Sequence, residues 1–185
     1  AQQIARWSGD AGALPARAAR GDADLQLGGW SLRREGDAYL ARLPADRFTL
    51  DLRLERRQPL LLQGDDGYSR KGPDEVQASH YYSEPQLAVS GRLAVAGREQ
   101  PAGGRAWLDH EWSEQILHPD AVGWDWLGVN LFDGGALTAF RLRRRDGSTL
   151  WAGGSWRPAA GAVRRFTADE VRLQPGRRWT SPSSS

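Results

Sequence analysis

From Phe48 the chain alternates without a break: Phe48, Leu50, Leu52 and Leu54 are apolar, and Thr49, Asp51, Arg53 and Glu55 are polar. A period of two sends successive side chains to opposite faces, which restricts this segment to a half-buried strand. Leu87, Val89, Gly91, Leu93 and Val95 repeat the pattern, and Arg105–Trp112 and Gly123–Phe132 supply two more runs. Asp133-Gly134-Gly135 then turns the chain into Ala136–Arg145, and Asp146-Gly147 turns it again into Ser148–Trp156. Asp-Gly steps between alternating runs are hairpin signals. A last strand is expected near Ala162–Leu173. No segment carries a sustained helical period, so the expected class is all-β, an antiparallel barrel or sandwich.

The division expected along the chain is an irregular segment over residues 1–29, a β domain over 30–173, which could also be the end of one barrel and the start of a second, and a linker or tail over 174–185. Gln63–Pro73, reading QGDDGYSRKGP, is too polar for core and too long for a tight hairpin, so it reads as a long loop of the kind that carries function.

Composition narrows the function classes. Apolar residues make up 39% of the chain before its 22 glycines are counted, which is globular rather than disordered. Zero cysteine excludes disulfides, thiolate metal sites and a cysteine nucleophile. No apolar run approaches the ~18 residues of a membrane helix. A net charge of +2 is too small to imply a polyanion, and the one basic cluster, Arg141 with Arg143, Arg144 and Arg145, has no stacking aromatics, so no nucleic-acid partner is expected. Lys71 is the single lysine among 25 basic residues, a bias that reads as the mark of a GC-rich genome.

Tryptophan is the conspicuous residue, with nine in 185. Four lie in two short blocks, Ala106-Trp107-Leu108-Asp109-His110-Glu111-Trp112 and Gly123-Trp124-Asp125-Trp126-Leu127. Alternation places Ala106, Leu108, His110 and Trp112 on one face, with Trp107, Asp109 and Glu111 on the other. Asp125 shares a face with Leu127, Val129 and Leu131, and Trp124 and Trp126 share the opposite one.

His110 and Asp125 are thus polar groups on apolar faces, and each needs a partner, a shifted pKa or a cavity. A carboxylic acid kept protonated by an apolar wall could protonate a weakly basic carbon, with tryptophan faces steadying the cation. Equally, His110 and Asp125 could be partners in a hydrogen bond that pins two strands. Asp109, His110, Glu111, His118 and Asp120 have the chemistry of hard metal ligands, but neighbours on a strand diverge, so no metal or cofactor is assigned. Tyr81 and Tyr82 read as strand aromatics lining a core or cavity.

The sequence resembles the lipocalin-like family of carotenoid 1,2-hydratases and bacterial proteins labelled as secreted hydrolases, the AttH-like group. The resemblance rests on QGDDGYSRKGP at 63–73, HYYSEPQLAVSGRL at 80–93, GRAWLDHEWSEQIL at 104–117, GWDWLGVNLFDGG at 123–135 and RRWTSP at 177–182. It implies two consecutive lipocalin-like β-barrels around an apolar cavity, with this chain a central slice of a protein longer at both ends. It also implies an apolar, isoprenoid-like ligand, acid-catalysed addition of water to a double bond, and a periplasmic or secreted location, with association at a membrane surface left open.

On that resemblance Asp125 is the expected acid and His110 the group that tunes it or positions water. Trp112, Trp124, Trp126 and Tyr82 are the expected substrate contacts. A non-catalytic carrier of hydrophobic molecules and a surface protein whose tryptophans are only core are the alternatives. One observation separates the three: a cavity shared by His110 and Asp125 favours an enzyme, a purely apolar cavity a carrier, and no cavity the structural protein.

Overall fold

The computed structural model describes residues 16–114, 117–177 and 179–181. Residues 1–15 of the segment expected to be irregular and the end of the expected tail lie outside them. The strands are β1 (Ala16–Ala18), β2 (Asp24–Leu27), β3 (Trp30–Glu35), β4 (Ala38–Pro44), β5 (Phe48–Glu55), β6 (Leu61–Leu62) and β7 (Tyr68–Arg70). They continue as β8 (Ala78–Val95), β9 (Arg98–Trp112), β10 (Gly123–Asn130), β11 (Ala136–Arg143), β12 (Thr149–Arg157) and β13 (Arg164–Phe166). Among the described residues there is no α-helix, and every registered strand pair is antiparallel. The protein is all-β, as the alternation predicts.

The chain divides into two compact units, each assembled from two segments. One comprises the residues up to Pro59 together with Glu84–Leu108. Its meander runs β1 to β5, and β5 then pairs with the second half of β8, so that Phe48 faces Val95 and Glu55 faces Ala88. The alternating run at Phe48–Leu54 is therefore the strand its period demands. Residues 16–18 and 24–27, expected to be irregular, pair as β1 and β2 instead, because their backbone groups find partners in the same meander.

This unit buries a charge. Glu84 has a side chain only 2% exposed and accepts from the Tyr39 hydroxyl at 2.5 Å and from Arg56 Nε and Nη2 at 2.9 and 3.1 Å. A buried carboxylate is tolerable only when its lone pairs are taken up in this way. The same contacts hold the Arg56 guanidinium well above its ordinary range.

The second unit comprises Leu60–Ser83 and the chain from Asp109 onward. Strands β10 to β13 form one antiparallel sheet, and β6 and β7 pair with the first half of β8. Register across β10, β11 and β12 sets three rows on one face: Trp124–Leu142–Trp151, Trp126–Phe140–Gly153 and Gly128–Thr138–Ser155. The opposite face carries Leu127, Ala139 and Ala152, packed with Phe166, Val171 and Leu173.

Two expectations are corrected here. The supposed long loop at Gln63–Pro73 contains a tight hairpin, with Asp65 and Tyr68 exchanging both backbone hydrogen bonds (2.9 and 2.8 Å) around Asp66 and Gly67 at φ 46° and 97°. Left-handed values at both central positions are what an Asp-Gly hairpin turn requires. The strand expected over Ala162–Leu173 stops at Phe166, because the Thr167 hydroxyl turns onto Asp169 and Glu170, and the Glu170 carboxylate accepts from the Thr167 amide. Such side-chain bonds offer the backbone an alternative to the ladder.

Candidate functional site

The hairpin just described sets Lys71 at the end of β7, where its side chain is 7% exposed. Its ammonium lies 2.9 Å from Glu111 Oε1 and donates to Ser69 Oγ at 2.9 Å. It also stands over two rings, 4.4 Å from the Phe140 centroid and 4.8 Å from that of Tyr81. Burial pushes the Lys71 amine below its ordinary range, against the upward pull of Glu111 and Asp109. The same Glu111 oxygen accepts from the Ser79 hydroxyl at 2.5 Å.

Alternation explains why these groups meet. On β8, Ser79, Tyr81 and Ser83 share one face; on β9, Asp109 and Glu111 do. Trp126 Nε1 donates to the Tyr81 hydroxyl at 3.2 Å, and Ser83 Oγ donates to Asp109 Oδ1 at 2.6 Å. Burial, with Asp109 next in size, pushes the Tyr81 phenol far up, so it keeps its proton. Beneath Ser83 runs a buried amide network: Gln63 Nε2 donates to Ser83 Oγ and Thr138 Oγ1 (3.0 and 3.1 Å), and Gln63 Oε1 accepts from Ser155 Oγ at 2.8 Å. With its members satisfied, such a network is rigid and holds the groups above it in place.

An open-sided cavity of about 180 Å³ is walled by Trp124, Trp126, Phe140 and Leu142, with Lys71, Glu111 and Tyr81 as its polar groups. An acid–base pair set among aromatic faces can exchange a proton with a bound molecule while the rings steady positive charge.

The sequence-expected residues fall on different sides of this arrangement. Trp124 and Trp126 line the cavity, at 61% and 45% exposure. His110, Trp112 and Tyr82 stand on the opposite faces of β8 and β9, where Tyr82, His110, Trp112, His80 and Tyr68 form a ladder of ring contacts at 5.1–5.9 Å. The Tyr82 hydroxyl is 3.2 Å from His110 Nδ1, and His110 itself is exposed rather than set against an apolar wall. Asp125 turns away from the tryptophans that flank it. It accepts from Arg141 Nε at 2.6 Å, with Arg143 Nε 3.2 Å away. The sheet leaves His110 and Asp125 apart, and among the described residues no contact joins them. Nor do Asp109, His110, Glu111, His118 and Asp120 converge; among the described residues no three such donors form a metal-sized group.

The cavity therefore answers none of the three alternatives as framed. It exists, it lacks both His110 and Asp125, and it is not purely apolar. Lys71 has no role in the sequence reading, and Asp109 and Glu111 are weighed there only as metal ligands; Tyr81, read as lining a core or cavity, does line it. One signal was available in the sequence: a chain that uses arginine everywhere else keeps one lysine, and a compact, readily deprotonated amine is what lysine offers and arginine does not.

Fold and site together define a lipocalin-like β protein with an acid–base pair in an aromatic cavity. A family model for AttH-like proteins matches residues 1–185, and the chain belongs to that family. It is similar to the crystal structure of an AttH from Nitrosomonas europaea, with 49% identity and a TM-score of 0.85 over 89% of this chain and 52% of that one. The chain thus spans about half the length of that relative. It also resembles, in fold alone, kievitone hydratase from Nectria haematococca, with a TM-score of 0.62 and 16% identity over 78% of this chain and 45% of that one. No curated protein matches the chain.

Proposed function

We propose that the cavity takes up a small apolar molecule bearing a carbon–carbon double bond, and that Lys71 and Glu111 add water across it. The observation that carries this reading is the 2.9 Å contact between a buried amine and a carboxylate inside an aromatic wall. Burial disfavours the charged form of the Lys71 amine, so the proton it shares with Glu111 is less firmly held there than on an exposed lysine. Glu111 then delivers the shared proton to one alkene carbon, and Trp124, Trp126 and Tyr81 face the developing cation. Water forms the new carbon–oxygen bond at the other carbon, and its proton returns to the Lys71–Glu111 pair. One water is consumed, the pair ends as it began, and nothing is oxidised or reduced. The Nectria haematococca neighbour is itself a hydratase, which is consistent with this chemistry. Export to the periplasm or beyond rests on the family resemblance alone.

The test is incubation with a panel of isoprenoid alkenes in water enriched in heavy oxygen, with mass spectrometry of the products. The wild type is expected to place heavy oxygen in a new hydroxyl, and Glu111→Gln to lose about a hundredfold or more in rate, the scale of a lost proton-transfer group. Binding without any labelled product would leave a carrier of hydrophobic molecules. Turnover of simple esters in place of alkenes would assign the same pair to hydrolysis.

A further inference from the structure

A second hollow of the same unit, about 600 Å³, lies over β12, with Trp151, Gly153 and Arg70 along it. Phe140 borders both this hollow and the Lys71 cavity. Its ring is 7% exposed, sits under the Lys71 ammonium at 4.4 Å, and faces Gly153 across the β11–β12 pair. A Cβ on Gly153 would stand 3.2 Å from the ring edge, so glycine there leaves the ring the room it occupies. The cavity on the Lys71 side is smaller than the ~300 Å³ at which sites for drug-sized ligands begin, whereas the hollow beyond the ring is well within that range.

We infer that Phe140 is the wall that sets ligand length: it closes the site to a compact molecule and excludes a long isoprenoid chain that would otherwise run on over Gly153. This inference deepens the proposed function and rests on the cavity being the ligand site. It makes the preferred ligand compact, of the size of one or two isoprene units, rather than a carotenoid. The partition arises because Trp126, Phe140 and Gly153 occupy one cross-strand row. Directly opposed residues on one face are close neighbours, so the size of one side chain decides the space left over the next strand.

The experiment measures binding of geraniol, farnesol and geranylgeraniol by tryptophan fluorescence, with each alcohol one isoprene unit longer than the last. In the wild type, affinity is expected to stop rising, or to fall, once the chain exceeds the cavity. In Phe140→Ala the two spaces join, and each added unit is expected to tighten binding by about tenfold, the gain five further carbons bring at the ligand efficiency of drug-sized molecules. Gly153→Ala, which presses the ring toward Trp126, is expected to act the other way and weaken geraniol itself. It keeps the inference open to refutation even where Phe140→Ala fails to fold. Identical chain-length profiles in wild type and Phe140→Ala, or geraniol binding unchanged in Gly153→Ala, would overturn the role of Phe140 while leaving the ligand site intact. No binding of any alcohol to any of the proteins would overturn the site reading and the inference with it.

Discussion

Lys71 Nζ lies 2.9 Å from Glu111 Oε1, with the lysine side chain 7% and the glutamate 30% exposed. Lys71 directly follows β7 and Glu111 lies on β9, and the pair has its amine over the Phe140 and Tyr81 rings. Because Lys71 is the only lysine, its chemistry can be followed without interference from any other lysine side chain.

Burial lowers the Lys71 pKa from its ordinary 10.5. Between the lowered value and 10.5 the unfolded chain binds more protons at this site than the folded one, so this group adds stability as pH rises through that window. An amine-reactive label mapped to Lys71 should show a pH–rate midpoint below 10.5 in the folded protein, returning to the ordinary value in denaturant. A folded-state midpoint at or above the denatured one would contradict the burial argument.

Glu111→Ala leaves the ammonium over its rings without a carboxylate. The expected loss is about 2 kcal/mol, less than the ~3–5 kcal/mol of fully buried pairs, because Glu111 remains partly solvated. Combining Lys71→Met with Glu111→Leu should recover most of that loss while abolishing turnover. Urea denaturation midpoints of the two variants against wild type, with turnover measured in parallel, separate the two effects.

In the other unit, Glu84→Gln removes the charge that Arg56 and Tyr39 share. With Glu84 at 2% exposure, the expected cost is about 3 kcal/mol, and Tyr39→Phe alone should cost about 1 kcal/mol. Both are checked by equilibrium unfolding, and a cost for Glu84→Gln no larger than that for Tyr39→Phe would show that the ion pair contributes nothing.

Gly64 sits at φ 63°, and a Cβ there would stand 2.3 Å from the Tyr68 carbonyl oxygen. Gly64→Ala should therefore cost about 3 kcal/mol or more, since the left-handed backbone and the clash with main chain act together. The hairpin that positions Lys71 would loosen with it. Thermal unfolding should shift down, and Lys71 labelling should accelerate in the same variant.

Asp125→Asn is expected to leave ligand binding unchanged, because Asp125 is committed to Arg141 and Arg143 on the face turned from the cavity. At 38% exposure the lost ion pair should cost no more than about 1 kcal/mol. Fluorescence titration alongside wild type checks it; a large loss of binding would return Asp125 to the site.

Much of this arrangement is legible in the alternation. It separates Asp109 and Glu111 from His110 and Trp112, and Trp124 and Trp126 from Asp125, and each separation is kept in the sheets. Periodicity reports which face a side chain takes, because the pleat is a local steric property of each strand. It says nothing of which face meets which. An exposed His110 and an Asp125 spent on arginines look, in one dimension, the same as a buried catalytic pair.

The amino-acid order alone therefore settled the all-β class, the faces and the concentration of aromatics near the site. Only the tertiary structure decided that the Asp66-Gly67 turn would carry the single lysine against Glu111, and that Phe140 would divide the interior. Those outcomes depend on contacts between residues distant along the chain, whose geometry comes from strand pairing and burial rather than from any local preference.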